Sequence, residues 1–146
     1  TTQQVDQVVE LRDLLPTFCE LAEAETPAHV DGQSILPLCR QDSGGWRDYL
    51  HGEHTMGDES NQWLTDGHEK YVWHPQTGRE LLFNLDDDPR ELRDLAQVQP
   101  QRVQFWRNRL IAELDGREEG FVQGSDLVVG RRQSPTLVDA GVYKER

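Results

Sequence analysis

The residues of this chain that could do chemistry are few, and most stand in the wrong company. His51 and His54 flank Gly52-Glu53 and look at first like a metal pair. On a strand, residues three apart point to opposite faces and cannot chelate one ion. Only a helix would bring the two rings together, and Gly52 with the flanking aromatics argues for a strand. Two readings stay open for them, polar strand-edge residues or the end of a substrate-facing loop. Asp86-Asp87-Asp88 suggests calcium, but an EF-hand loop needs alternating oxygens, a central Gly and a distal Glu, and none of that spacing is present. A tight turn feeding a capped helix accounts for all three carboxylates. Cys19 precedes Glu-Leu-Ala-Glu and Cys39 precedes Arg-Gln-Asp-Ser, so neither has a neighbouring His or basic cluster to make a thiolate. Both read as buried thiols. Ser34 and Ser60 lie in no strained elbow, and Gly44-Gly45 alone makes no phosphate loop. By itself the chain offers no catalytic set.

The elements that must position these residues change character near residue 46. Before it, Val8 to Leu11 reads as extended. Asp13 then caps a helix whose Pro16 falls in the first turn, where its missing N–H costs nothing. Leu14, Phe18 and Leu21 form an apolar stripe along that helix. Asp31-Gly32 makes a turn, and Ser34 caps a short helix with Ile35, Leu36 and Leu38. After residue 46 come short aromatic strands. Asp66-Gly67 between Gln62-Trp63-Leu64-Thr65 and Lys70-Tyr71-Val72-Trp73 is a hairpin signal. Pro75 to Gly78 forms a second turn before Glu80 to Leu85. Tyr71 and Trp73 should share one strand face, with Val72 on the other. The signals Asp88, Pro89 and Glu91 predict a helix start, with Leu92 and Leu95 packed on the sheet. A longer helix is expected from about Pro100 to Leu114, with Val103, Trp106, Leu110 and Leu114 inward and Arg102, Arg107 and Arg109 toward water. Trp106 and Leu110 should cover one sheet face, leaving the other in need of a partner.

The fold class is therefore α+β: an antiparallel sheet of three to four strands with a packed C-terminal helix, preceded by helices. Residues 1–45, 46–116 and 117–146 form three segments, the last an irregular tail. Composition narrows the function. The chain has 146 residues, 15 basic against 27 acidic, for a net charge of −12. Such a surface repels phosphate backbones, and no basic patch offsets it, so no nucleic-acid partner is expected. No run approaches the roughly 18 apolar residues that span a bilayer. The only methionine is Met56, so the sequence reads as a piece of something longer.

Four motifs carry a resemblance to a known family. Asp13-Leu14-Leu15-Pro16-Thr17 resembles the Asp-Leu-x-Pro-Thr helix start late in the catalytic domain of type I sulfatases. Asp31-Gly32-Gln33-Ser34-Ile35-Leu36-Pro37-Leu38 is similar to the Asp-Gly-x-Ser-Leu-x-Pro-Leu segment that follows it there. Lys70-Tyr71 looks like the family's Lys-Tyr pair. Leu82 to Ala96 resembles its Leu-Tyr-Asp-Leu-x-x-Asp-Pro-x-Glu-x-x-Asn-Leu-Ala signature. The resemblance implies the end of an alkaline-phosphatase-like α/β domain over residues 1–45 and a C-terminal subdomain over 46–116. It also implies an enzyme that hydrolyses sulfate esters with a formylglycine nucleophile and a calcium ion. Both are expected in the full-length parent and neither in this chain, because Cys19 and Cys39 lack the Cys-x-Pro-x-Arg context. Its expected partner is the missing N-terminal sulfatase domain. No catalytic and no metal-binding residue is assigned here, and His54 alone is assigned to substrate binding. The alternative is a free-standing, non-catalytic α+β interaction module derived from that subdomain.

Overall fold

Asp13 and Thr17 show how the first motif folds. In the computed structural model, which describes residues 4–55 and 57–131, the chain packs as two units. The first comprises residues 1–50 with 65–67, and the second comprises residues 51–64 with 68–146. In the first unit a single 3-10 turn, Leu11–Asp13, leads into α1, Leu14–Leu21, and a four-residue α2 follows at Leu36–Cys39. Of the extended run expected at Val8 to Leu11, Glu10 is extended (φ −142°, ψ 169°), and the run ends at Leu11, where the 3-10 turn starts and Asp13 accepts the Glu10 amide at 2.8 Å. Asp13 thus serves the turn and makes no side-chain cap on α1. Ser34 does support α2, its Oγ accepting the Leu36 amide at 3.3 Å.

The second unit holds the sheet, in the order β1 (Leu50–His54), β2 (Asn61–Thr65), β3 (Glu69–Trp73) and β4 (Glu80–Asn84). The terminal residues Leu50 and Thr65 of β1 and β2 belong to the first unit. β3 and β4 are antiparallel, with Tyr71 opposite Leu82 and Trp73 opposite Glu80. Helix α3 spans Pro100–Leu114, as its apolar spacing predicts, and buries Val103, Trp106, Leu110 and Leu114. Tyr71, Trp73 and Leu82 are fully buried with them. The opposite face is not bare, for Val72 and Phe83 are each only 8% exposed. That corrects the expectation of one open face.

Three further expectations are corrected. No helix follows Asp88: residues 85–98 are turns, Glu91 has a left-handed φ of 55°, and Leu92 is 80% exposed. The local cap signals lose to Glu91's pairing with Lys70 and to Asp88 accepting the Arg93 amide instead of an amide in a first helical turn. Arg102 and Arg107 do not simply face water but reach Glu69 and Glu80. Nor are the thiols buried, Cys19 being half-buried and Cys39 exposed, and both are free. Within the segment read as an irregular tail, β5 (Val122–Gln123) and β6 (Asp126–Leu127) form a small hairpin. Phe121 just before it is fully buried, edge-on to Trp73 with ring centroids 5.6 Å apart. The remaining tail, 132–146, and Met56 lie outside the described residues.

At β4 the backbone is covered from its outer side. Asp94 Oδ1 accepts the Leu82 amide at 3.1 Å, and the Leu95 amide donates to the Leu82 carbonyl at 2.8 Å.

Candidate functional site

Most motif residues turn out to be pins. The Asp13 carboxylate is 1% exposed and fully engaged. Arg47 grips it with both ends of its guanidinium, at 2.6 and 2.8 Å, and the Gln33 amide donates to it at 2.9 Å. Burial alone would raise its pKa, but the Arg47 contacts and the Gln33 and Glu10 amides outweigh that and hold it below the usual carboxylate range. Thr17 donates to the Asp13 carbonyl at 2.6 Å and accepts the Ile35 amide at 3.0 Å. A Cβ on Gly32 would sit 2.0 Å from the Arg12 carbonyl oxygen, so only glycine fits that crossing. The first two motifs are therefore one structural joint.

The last two motifs interlock in the same way. Lys70 meets Glu91 at 2.9 Å, and Tyr71 donates to Glu80 at 2.5 Å. Arg107 binds the same Glu80 carboxylate at 2.7 and 2.5 Å, while Trp106 and Arg102 both bond Glu69. Burial, reinforced by Glu80, pushes the Tyr71 hydroxyl far above the ordinary phenol range, so it stays a donor. Glu80 and Arg107 line a cleft of about 460 Å³ with Arg79, Asp94 and Gln104, but their charges already satisfy each other. Asn84 Oδ1 accepts the Asp87 amide at 2.9 Å, which explains the start of the acidic turn without an ion. Among the described residues no group of three or more His, Cys, Asp or Glu side chains is placed to hold a metal ion.

What remains lies on β1. His51 and Glu53 point to one face, where both meet the fully buried Gln62. The His51 Nε2 to Gln62 Oε1 distance is 2.7 Å, and Gln62 Nε2 donates to Glu53 at 3.1 Å. Arg117 binds Glu53 at 3.0 Å and Glu119 at 2.7 Å, and these contacts, Glu119 first, raise its pKa. Gly52 faces the other way, and a Cβ there would lie 2.1 Å from the Trp63 ring. Strand alternation puts His54 on that same side, exposed at the strand end, where no described residue bonds it. His51 and His54 are thus on opposite faces. Sequence reasoning missed the Gln62–Glu53 pairing, for which the period-two spacing of His51 and Glu53 was the available signal.

No family model matches the chain. An arylsulfatase of Clostridium perfringens is 40% identical over 127 residues, which is 86% of this chain and 26% of that protein. The chain belongs to the sulfatases. It corresponds to a C-terminal sulfatase region of the arylsulfatase type. Arylsulfatase K of Xenopus laevis is 31% identical over 127 residues, 77% of this chain and 23% of its own length. The fold agrees: a putative sulfatase from Bacteroides thetaiotaomicron superposes with a TM-score of 0.66 at 21% identity, over 84% of this chain and 30% of that one. The chain spans about a quarter of the length of the curated sulfatases it matches. Its sulfatase motifs are those whose side chains are pinned as described above.

Proposed function

We propose that this chain is the non-catalytic C-terminal part of a sulfate ester hydrolase and is inactive alone. In that role it buttresses a catalytic domain that supplies the formylglycine nucleophile and the calcium ion. The observation that carries the reading is the saturation of the motif residues. Asp13, Glu80, Glu91 and Asp94 are all engaged by amides or cations, and neither Cys19 nor Cys39 stands in a Cys-x-Pro-x-Arg context. Hydrolysis of a sulfate ester needs an activated nucleophile and a cation for the developing charge. The partner is the N-terminal sulfatase domain, and the exposed stripe of α1 is the surface that meets it. Measuring release of nitrophenol from 4-nitrophenyl sulfate tests this: the 146-residue chain turns over nothing, and activity appears when a catalytic sulfatase domain precedes it. Chelator-sensitive turnover by the chain alone would refute the reading.

Within that reading His54 is the residue assigned to touch substrate. It stands exposed on a rigid strand end beside the loop that follows, a placement that keeps a side chain both fixed and accessible. Its imidazole donates to a sulfate oxygen or a sugar hydroxyl. In the full-length enzyme His54→Ala lowers kcat/KM about tenfold, roughly 1.4 kcal/mol of transition-state binding. Stability stays within about 0.5 kcal/mol, since an exposed side chain buries little. Wild-type kinetics in that variant removes His54 from the site.

A further inference from the structure

The polar chain on β1 has a property that the pins elsewhere lack: it determines where a proton sits. Arg117 holds Glu53 at 3.0 Å, and a carboxylate can only accept hydrogen bonds. The Gln62 group facing Glu53 at 3.1 Å must therefore be its NH2, and its carbonyl oxygen faces His51 at 2.7 Å. A carbonyl also only accepts, so His51 Nε2 carries the hydrogen. Gln62 is fully buried and cannot exchange these partners for water. In the neutral ring, Nδ1 is then the bare nitrogen, and no described residue bonds it.

We propose that Glu53 is a positioning residue that acts through Gln62 to keep neutral His51 in its Nε2–H tautomer, leaving Nδ1 as a hydrogen-bond acceptor. The group it takes is a donor, a hydroxyl or an ammonium, and not an anion oxygen. His51 and His54 then divide the labour of the two strand faces, one imidazole accepting and the other free to donate. This inference concerns the chain's own proton placement and does not depend on sulfate ester hydrolysis by a longer protein.

Two-bond 1H–15N correlation spectra of the 15N-labelled chain at about pH 8.5, above the ordinary imidazole range, read the tautomer directly. The expected wild-type pattern is His51 protonated at Nε2, with Nδ1 at the unprotonated position. Glu53→Leu removes the acceptor that fixes the Gln62 amide. The amide is then free to turn, and both His51 nitrogens move toward the averaged position of mixed tautomers. Gln62→Leu removes the relay, and both nitrogens move to the averaged position of mixed tautomers. Inorganic sulfate at matched ionic strength with sodium chloride leaves the wild-type Nδ1 resonance in place. An Nδ1–H or mixed ring in the wild-type chain overturns the proposal, and that result needs no variant to fold. So does an unchanged tautomer in either folded variant, or sulfate driving a proton onto Nδ1.

Discussion

The two units are held together by different means. In the first, buried polar groups do the fastening: Asp13, Thr17 and Arg47 tie three chain segments, while Phe18 and Leu21 of α1 stand 60% and 62% exposed. In the second, Trp73, Trp106, Leu110 and Phe121 are inside, and charges close the rim through Glu69 and Glu80. The contrast separates shape from self-sufficiency. Hydrogen bonds define the first unit's conformation, yet its apolar helix face finds no cover there, whereas the second unit buries an aromatic core of its own. That uncovered face is the surface assigned above, as a proposal, to a catalytic domain.

Five experiments press on that contrast. The largest effect belongs to Trp106→Ala, which empties part of the second core and removes the indole bond to Glu69, leaving that carboxylate to Arg102. A loss of about 3–5 kcal/mol is expected from denaturant midpoints. Asp13→Ala comes next. It leaves the part-buried Arg47 with Glu10 as its remaining carboxylate and takes the acceptor from the amides of Gln33 and Glu10, with a cost of about 3 kcal/mol in the first unit. The pH dependence of the wild type follows from the same group. Because its folded pKa is lowered, the stability it lends is complete above the unfolded value near about 3.9 and is lost as pH falls through the folded value. Thermal melts of wild type and Asp13→Asn should therefore converge in acid. Gly52→Ala, which pushes on Trp63, costs about 1–3 kcal/mol by the same melts. Smallest is Phe18→Ser, within about 0.5 kcal/mol of wild type because the side chain is already wet. It should nevertheless cut the binding of a hydrophobic dye to the chain. A large stability loss there would mean that the first unit has a core after all.

The fold was readable where the signal is local. Helix α3 follows from four apolar positions in helical spacing behind a proline, and the β2–β3 hairpin follows from Asp66-Gly67. Reading failed where distant partners decide. Glu91 looks like the third residue of a helix cap, but Lys70, 21 positions away, takes it. Phe121, between Gly120 and Val122 in a mostly polar stretch, carries no periodicity, and its burial edge-on to the distant Trp73 is not signalled locally. The candidate site divides the same way. His54 is a strand-end residue from local pattern alone, but the His51–Gln62–Glu53 chain requires the pairing of β1 with β2. Polar residues within a strand say which face they occupy, not whom they meet.

The covering of β4 by Asp94 and Leu95 has a consequence for how the protein behaves in a crowd. A sheet edge with free amides and carbonyls is a template on which another chain can grow. At Leu82 both groups are already taken, so a further strand would find no free ladder bond at the middle of that border. Growth is left to the opposite border at β1, where Glu53 and His54 put polar side chains in the path of any newcomer. A protein that leaves one helix face apolar thus keeps its sheet from becoming a second adhesive surface.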